Sequence, residues 1–348
     1  MPFGDHTLFL SLEGDLFVCG DNFGGQLGLG DEKVGMTNRP MQVAWEGPRL
    51  VWTDCGFSHS LVMDIDGGVW EAGRSRSMTS AHTFQRVSEL PPVSMISAGY
   101  QHNAALGSDG ALWVWTNQCI SWASAIPKQV PGLPLLCRMA SGWNFLVGES
   151  EDGLWVLGHN TYGQLGLGHT NEVPVPTFVR VPELVTPLRS LEALNRGILL
   201  VDGDGAIWTA GDNSLGQLGR DGDTSVFQRI NGIPPMSEAS CGCSHSLAKD
   251  ENGGLWTWGW GRCGQLGTND TLNQTVPTLI PSISDVHSLV AGGNHSFVYS
   301  HEGEMFAFGA NSSGQLGLGH KDKKLVPTLS PVTTAPPCRP KRQKSARS

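Results

Sequence analysis

The amino-acid sequence predicts an all-β protein, a seven-bladed β-propeller, because one short unit recurs along the chain. Three features mark the unit: an Asp-Gly, Glu-Gly or Asn-Gly pair, an aromatic residue soon after it, and a loop containing Gly-Gln-Leu-Gly. One unit alone would be a small meander with exposed edges and a thin core, whereas seven units arranged radially bury a shared core. The loop sequence occurs five times, beginning at Gly25, Gly163, Gly216, Gly264 and Gly314.

The pairs that end in glycine are predicted to be hairpin turns between two strands. Runs such as residues 255–258, Leu-Trp-Thr-Trp, are β-like on both sides of them. An Asp-Gly or Asn-Gly pair between two such runs favours a type I′ turn, in which both central residues have positive φ. The turn glycines are Gly14, Gly67, Gly110, Gly153, Gly205, Gly253 and Gly303.

A histidine stands eight residues before the turn glycine in five of the seven units. Its recurrence predicts structural imidazoles bonded to nearby backbone, and the alternative is a ring of metal ligands or a catalytic set. The aromatic residue after each turn is predicted to pack between blades. The histidines are His6, His59, His102, His245 and His295, and the aromatic residues are Phe17, Trp70, Trp113, Trp155, Trp208, Trp256 and Phe306.

The two ends of the chain are predicted to meet in one blade. The sequence begins partway through a unit, at Gly4 and His6, and its last patterned run is residues 325–329. Pairing of this C-terminal strand with the N-terminal hairpins would close the ring. The chain length suggests two domains, but the repeat predicts one propeller, residues 1–332, followed by a disordered basic tail, residues 333–348.

Composition excludes several classes of protein. The net charge is −9 and the basic residues do not cluster outside the tail, so weak or no nucleic-acid binding is expected. No apolar run approaches the ~20 residues that span a bilayer, and no signal peptide is recognised. These features predict a soluble protein that is not secreted and that is cytoplasmic, nuclear or both. In the tail, Lys341, Arg342 and Lys344 fit a nuclear-import pattern, and a solvated end is the alternative.

The sequence contains no pattern that predicts an enzyme, a metal site or a cofactor. Cys241, Cys243 and His245 have the spacing of ligands or of a thiol–imidazole pair, but His245 is the repeated histidine of its unit. The glycine-rich loops lack the Lys-Ser/Thr that follows a nucleotide-binding loop. We therefore expect no covalent catalysis, no metal and no cofactor.

The combination of Gly-x-x-His-Ser, a turn glycine, an aromatic-Gly pair and Gly-Gln-Leu-Gly resembles the regulator of chromosome condensation repeat family. The resemblance extends from Phe3 to about Val332. It implies a propeller that binds proteins. The founding member of the family is a guanine-nucleotide exchange factor for the small GTPase Ran, and related propellers occur in HECT-type ubiquitin ligases.

One face of the propeller is predicted to bind the partner. The Gly-x-x-His turn and the loop after the aromatic-Gly pair are separated by two strands, so they lie on the same face, opposite the hairpin turns. Binding residues concentrate in loops that rigid strands hold in place. The candidate contacts are Asp5, Phe57, Tyr100, Gln101, Asn117, Gln118, Trp143, Asn144, Asn195, Arg196, Asp212, Trp260, Arg262 and Asn294.

Two hypotheses follow for the partner. The first is a Ran-type small GTPase, on which this protein would act as an exchange factor or regulator. The second is an adaptor or scaffold without exchange activity, for example in substrate recognition. Taken in chain order, the positions that are acidic or arginine contacts in the exchange factor are Phe23, Tyr100, Cys119 and Asn144, which favours the second hypothesis. The loops at 73–84 and 116–126 depart from the repeat.

Overall fold

A computed structural model describes residues 4–74, 81–100, 102–116, 125–179 and 184–329. These residues form seven antiparallel sheets, and the sheets are the blades of a propeller. The all-β, seven-bladed prediction is therefore confirmed. Within each blade the strands follow one another as a meander, because every connection is a hairpin between neighbours.

The first four blades contain the following strands. Blade 1 has β1 (His6–Leu10), β2 (Leu16–Asp21) and β3 (Met36–Gln42). Blade 2 has β4 (Leu50–Cys55), β5 (His59–Asp64), β6 (Val69–Gly73) and β7 (Ala81–Arg86). Blade 3 has β8 (Val93–Ala98), β9 (His102–Gly107), β10 (Leu112–Thr116) and β11 (Lys128–Gln129). Blade 4 has β12 (Arg138–Ser141), β13 (Phe145–Ser150), β14 (Gly153–Gly158) and β15 (Val173–Val179).

The remaining three blades have four strands each. Blade 5 has β16 (Ser190–Leu194), β17 (Gly197–Val201), β18 (Ile207–Gly211) and β19 (Gln228–Arg229). Blade 6 has β20 (Met236–Cys241), β21 (His245–Asp250), β22 (Leu255–Gly259) and β23 (Gln274–Leu279). Blade 7 has β24 (Val286–Ala291), β25 (His295–Ser300), β26 (Met305–Gly309) and β27 (Lys324–Leu329). The first strand of each four-stranded blade lies innermost, against the central channel.

The hairpin turns form where predicted but with a different geometry. Gly67 has a φ of 80°, whereas Asn269 and Asp285 are the only non-glycine residues of the described chain with positive φ. A type I′ turn needs positive φ at both central residues, so the type I′ prediction is wrong at Asp66-Gly67. Glycine is still required at position 67, because the backbone of this residue has a left-handed φ, whereas that of Asp66 does not.

An aspartate at the end of the preceding strand explains this turn. The Asp64 carboxylate accepts hydrogen bonds from the backbone N–H of Asp66, at 3.0 Å, and of Gly68, at 2.7 Å. Its second oxygen accepts from the Trp70 indole N–H at 3.1 Å. The carboxylate therefore fixes both the turn and the aromatic ring that follows, and Asp202 and Asp250 do the same in blades 5 and 6.

The core lies between neighbouring blades. Trp70 of blade 2 packs against a buried cluster that contains Leu16 and Leu27 of blade 1 together with Leu50 of blade 2. The prediction that the aromatic residues pack between blades is confirmed at this position. Because each blade shares its apolar face with the next, no blade has a complete core of its own.

The predicted pairing of the chain ends is not confirmed. The strand β27 pairs with β26 and completes blade 7, while blade 1 contains only β1, β2 and β3 among the described residues. Among the described residues, side chains connect blades 7 and 1. The Thr7 hydroxyl of blade 1 lies 3.0 Å from the His295 imidazole and donates to the Gln315 carbonyl at 2.7 Å, and Phe9 and Phe297 pack edge to face.

The repeated histidines join one blade to the next. In four of the five, Nε2 contacts the side chain of the residue that follows the histidine position in the neighbouring blade, where bonds to backbone were predicted. The fifth, His102, bonds to the backbone of Trp143 as predicted. Ser60 shows why: its hydroxyl donates to the Gln26 carbonyl at 2.7 Å, so it is free to accept from His6. The contacts are His6–Ser60 at 2.9 Å, His59–Asn103 at 2.7 Å, His245–Ser296 at 3.0 Å and His295–Thr7 at 3.0 Å.

Candidate functional site

The short turns and the long loops lie together on one face, as the sequence predicts. The first residue after the aromatic-Gly pair donates its backbone N–H to a carbonyl of the short turn in the same blade. These bonds run from Arg74 to Ser58, from His159 to Asn144 and from Trp260 to Ser244, at 2.8–2.9 Å. We call this surface the loop face. Its loops are held to the rigid strands by backbone contacts, which lowers the ordering cost of binding a partner.

The short turns are also bonded to one another around the channel. The Trp143 N–H donates to the Asn195 carbonyl at 3.0 Å, the Asn195 N–H to Cys243 at 3.1 Å, and the Cys243 N–H to Gly293 at 3.0 Å. Four successive blades are thereby linked at the same position of the repeat. The side chains of these turns consequently stand at fixed spacing around the mouth of the channel.

Five side chains on this face form one continuous group, which we call the aromatic arc: Phe57, Tyr100, Trp143, Arg196 and Tyr162. The Phe57 and Tyr100 rings are 4.5 Å apart, and Tyr100 contacts Trp143 edge to face at 5.6 Å. The Arg196 guanidinium lies 4.6 Å from the Trp143 ring centroid and 4.4 Å from that of Tyr162. The arc spans blades 2 to 5, and Phe57 at its end is 46% exposed.

Arg196 is held by rings rather than by an acid. In the described part of the chain no carboxylate forms an ion pair with it, and its Nε is buried without a hydrogen-bond partner. Cation–π contacts such as these hold a guanidinium in place without neutralising it. Its positive charge therefore remains available to an acidic group on a partner.

The opposite half of the channel mouth is lined by small residues. The positions that correspond to Phe57, Tyr100 and Trp143 are filled by Cys243 and Gly293 in blades 6 and 7. Asp5 lies on this side, where burial and then the nearby Asp21 raise its pKa. The loop face is thus divided into an aromatic half and a half that contains small residues and acidic groups.

The structure brings together part of the predicted set of contacts. Phe57, Tyr100, Trp143 and Arg196 join the arc, and Asn144 and Asn195 lie in the same turns. Asp5, Asp212, Trp260, Arg262 and Asn294 lie on the loop face outside the arc. Gln101, Asn117 and Gln118, with most of the loops at 73–84 and 116–126, lie outside the described residues, as do Lys341, Arg342 and Lys344 of the tail.

Sequence reasoning missed Tyr162. It precedes Gly163 and Gln164 in an ordinary copy of the loop sequence, so nothing in the repeat singles it out. Only the approach of the neighbouring blade places its ring against the guanidinium of Arg196, and sequence spacing carries no information on that contact.

The cluster of Cys241, Cys243 and His245 behaves as part of the buried core and not as a reactive site. Burial raises the pKa of the Cys243 thiol to about 12 and lowers the pKa of His245 to about 3, so neither a thiolate nor an imidazolium forms near neutral pH. No group of three or more potential metal ligands is found among the residues that the structure describes. The same residues include no helix long and apolar enough to cross a bilayer.

Fold and site together define a class: a β-propeller that presents a preorganised, partly apolar loop face of the kind that binds other proteins. The chain belongs to the regulator of chromosome condensation (RCC1) repeat family. The family model matches residues 13–63, 151–190, 204–248, 252–299 and 302–336.

Several known proteins are similar to this chain. The ultraviolet-B receptor UVR8 of Arabidopsis thaliana is 26% identical over 80% of this chain and 69% of its own. The probable E3 ubiquitin-protein ligase HERC6 of Homo sapiens is 35% identical over 82% of this chain, which spans only 30% of that ligase. The structure of Prp20p from Saccharomyces cerevisiae superposes with a TM-score of 0.81 at 20% identity, covering 94% of this chain and 88% of Prp20p.

Proposed function

We propose that this propeller recognises a protein partner with its loop face, and that the aromatic arc is the anchor of the interface. The observation that carries the proposal is the unneutralised Arg196 guanidinium between the rings of Trp143 and Tyr162. Tryptophan, tyrosine and arginine are the residues most enriched among those that dominate binding energy. The partner surface that fits is an apolar projection beside a carboxylate.

This recognition role corresponds to an adaptor or substrate-binding module. Its support is the arc itself, together with the similarity to a region of a probable ubiquitin ligase. No covalent step is part of the proposal. The propeller would act by bringing its partner to another protein or domain.

The arc is expected to be required for binding. Replacing Arg196→Ala or Trp143→Ala removes an anchor and should weaken partner binding by about tenfold or more. The measurement is capture of partners on the immobilised protein, followed by titration of the purified partner. Arg229→Ala on the outer strand β19 is the matched control. If the Arg196 and Trp143 variants bind like the control, the arc is not the interface.

Guanine-nucleotide exchange on a Ran-type GTPase is a second candidate. The family resemblance supports it, and binding to Gsp1p and histones is described for yeast Prp20p. The mechanism would be tighter binding of the loop face to the nucleotide-free GTPase than to the loaded form. A difference of about 1.4 kcal/mol between the two affinities shifts that equilibrium tenfold.

Exchange has a direct test. Catalytic amounts of this protein should accelerate release of a fluorescent GDP analogue from a Ran-type GTPase, and Trp143→Ala should reduce the acceleration. If the folded wild-type protein gives no acceleration, exchange on that GTPase is discarded and recognition without exchange is retained.

The nuclear location stays a prediction. Its support is the sequence of the tail, in which Lys341, Arg342 and Lys344 are the basic residues of the proposed import signal.

A further inference from the structure

Two histidines outside the repeated set lie together in blade 7, on the side of the hairpin turns. His287 is the second residue of β24, and His301 directly follows β25. Their ring centroids are 4.7 Å apart, and the ring planes are inclined by 70°. We call these two residues the histidine pair. The pair lies opposite the loop face and is therefore separate from the aromatic arc.

A β-bulge turns the His287 side chain toward the hairpin. The pairing of β24 with β25 shifts its register between Val286 and Ser288, so His287 is the extra residue of the bulge. A bulge re-aims the side chain of its extra residue. The bulge of blade 6 shows the direction, because the Ser237 hydroxyl donates to the carbonyls of the last two residues of β21, at 3.2 and 3.4 Å. The same direction brings His287 to the end of β25, beside His301.

The ring nitrogens of the histidine pair are not used in holding the fold together. In the described part of the chain neither imidazole forms a hydrogen bond or an ion pair, and the pair is held by ring contacts. Other histidines at the surface are engaged by their own loops. His159 lies 3.2 Å from Glu172, and His320 accepts a backbone N–H at 3.2 Å. Each ring of the pair therefore has a nitrogen available to a ligand.

The electrostatics around the pair favour the neutral imidazole, which is the form that binds metal ions. Burial, and then the neighbouring His301 and Lys249, lower the pKa of His287. The Lys249 ammonium is itself engaged, because it donates to the His287 carbonyl at 2.7 Å and lies 3.3 Å from the Glu238 carboxylate. The carboxylate partly compensates the charge of Lys249, which limits the repulsion of a cation at the pair.

The spacing of the two rings fits two ligands of one metal ion. Zn²⁺ binds imidazole nitrogens at about 2.0–2.1 Å in a tetrahedral arrangement, which places the centroids of two bound rings about 5 Å apart. The centroids of His287 and His301 are 4.7 Å apart. The rings therefore need to turn, and not to separate, for one nitrogen of each to face the same ion. His301 is exposed in its turn, so its ring has room to do so.

We propose that the histidine pair binds a divalent transition-metal ion such as Zn²⁺, with one nitrogen from each ring as protein ligands. Water completes the coordination, since no group of three or more potential ligands is found among the residues that the structure describes. The bound ion links the inner strand of blade 7 to the hairpin turn of the same blade. This site does not depend on the proposed function.

The ligand type decides which ions the pair selects. Imidazole nitrogen suits Zn²⁺, Ni²⁺ and Cu²⁺, whereas Mg²⁺ and Ca²⁺ prefer oxygen ligands. A structural zinc site has four protein ligands, and the pair supplies two. We therefore expect a dissociation constant for Zn²⁺ on the order of micromolar, and no binding of Mg²⁺ at this position.

Calorimetric titration of the full-length protein with zinc chloride, under reducing conditions, tests the site. The wild type should bind Zn²⁺ at the pair, and magnesium chloride should give no binding. His287→Gln and His301→Gln should each weaken the binding of Zn²⁺ by about tenfold or more. Glutamine is suitable because it keeps a polar side chain but has no imidazole nitrogen. If the wild type does not bind Zn²⁺, the proposal fails.

The control variant removes a histidine that has a different potential ligand beside it. His159 lies 3.2 Å from Glu172 on the loop face, so these two residues are the rival location for an ion. His159→Gln should leave the affinity for Zn²⁺ unchanged. Equal weakening by His159→Gln and His301→Gln, or by neither, would show that the ion is bound elsewhere and would overturn the assignment of the site.

Thermal unfolding separates loss of the site from loss of the fold. Without metal, His301→Gln should melt at the temperature of the wild type, because the side chain is exposed and forms no hydrogen bond in the described part of the chain. Zn²⁺ should raise the melting temperature of the wild type, since it binds the folded state, and should leave that of His301→Gln unchanged. An equal rise in both proteins would contradict binding at the histidine pair.

Discussion

Lowering the pH from 7 to 5 is expected to destabilise this protein by several kcal/mol, through its five repeated histidines. Burial lowers their pKa values, to about 4 for His59 and to about 3 for His6, His102, His245 and His295. The unfolded chain has ordinary imidazoles with pKa values near 6.5. Below that pH the unfolded state binds protons that the folded state excludes.

The sign and the size follow from linkage. A group whose pKa is lower in the folded state contributes stability that is complete above about pH 6.5 and is lost as the pH falls toward 4 or 3. Each histidine contributes about 2 kcal/mol of this loss between pH 7 and pH 5. Five together amount to about 10 kcal/mol, which is comparable with the whole stability of a domain. We therefore expect the protein to unfold, on acidification, at a pH above the range in which carboxylates titrate.

Urea unfolding followed by circular dichroism at pH 7, 6 and 5 measures this effect. His245→Phe should reduce the dependence on pH by about one fifth, because one of five titrating groups is removed. Phenylalanine is suitable because Phe145 occupies the same position, fully buried, in blade 4. An unfolding free energy independent of pH over this range would show that these imidazoles are not held neutral by burial.

Trp258→Ala is expected to lower the free energy of unfolding by about 3–5 kcal/mol. The indole is fully buried in the cluster that joins blades 5 and 6, and its N–H donates to the Gln217 carbonyl at 3.1 Å. Alanine leaves a cavity between the blades and leaves the Gln217 carbonyl with only the Ser246 hydroxyl, at 3.3 Å, as donor. Because the blades depend on each other for their cores, the loss should destabilise the ring as a whole.

The matched variant is Trp258→Phe. It retains a ring and loses the indole hydrogen bond, while the Ser246 hydroxyl still donates to the Gln217 carbonyl, so the expected loss is smaller, about 1 kcal/mol. Thermal unfolding by calorimetry compares the two variants with the wild type. If Trp258→Ala costs no more than Trp258→Phe, the packing of the indole between blades contributes little and the assignment of the core is mistaken.

The sequence predicted the positions of the hairpins because turn chemistry is local. Gly67 has the left-handed φ that an Asp-Gly pair suggests. The type of turn was not predictable from that pair, because it depends on the Asp64 carboxylate, which reaches forward to two backbone N–H groups and to an indole. A dipeptide pattern does not include that side chain.

The candidate site was predicted in part for a related reason. The repeat register put Phe57, Tyr100 and Trp143 at one position in successive blades, so their shared face followed from sequence alone. The contact of Arg196 with Tyr162 did not follow, because the two residues belong to different blades and to different loops.

The sequence by itself determined the number of blades, the face on which each loop lies and the burial of the repeated histidines, since a repeat imposes the same local environment on every copy. The tertiary structure decided what differs between the copies: which rings hold the guanidinium and which side chains join blades 7 and 1. These features arise from contacts between residues far apart in the chain. Their geometry is set by packing around the closed ring, which no single repeat contains.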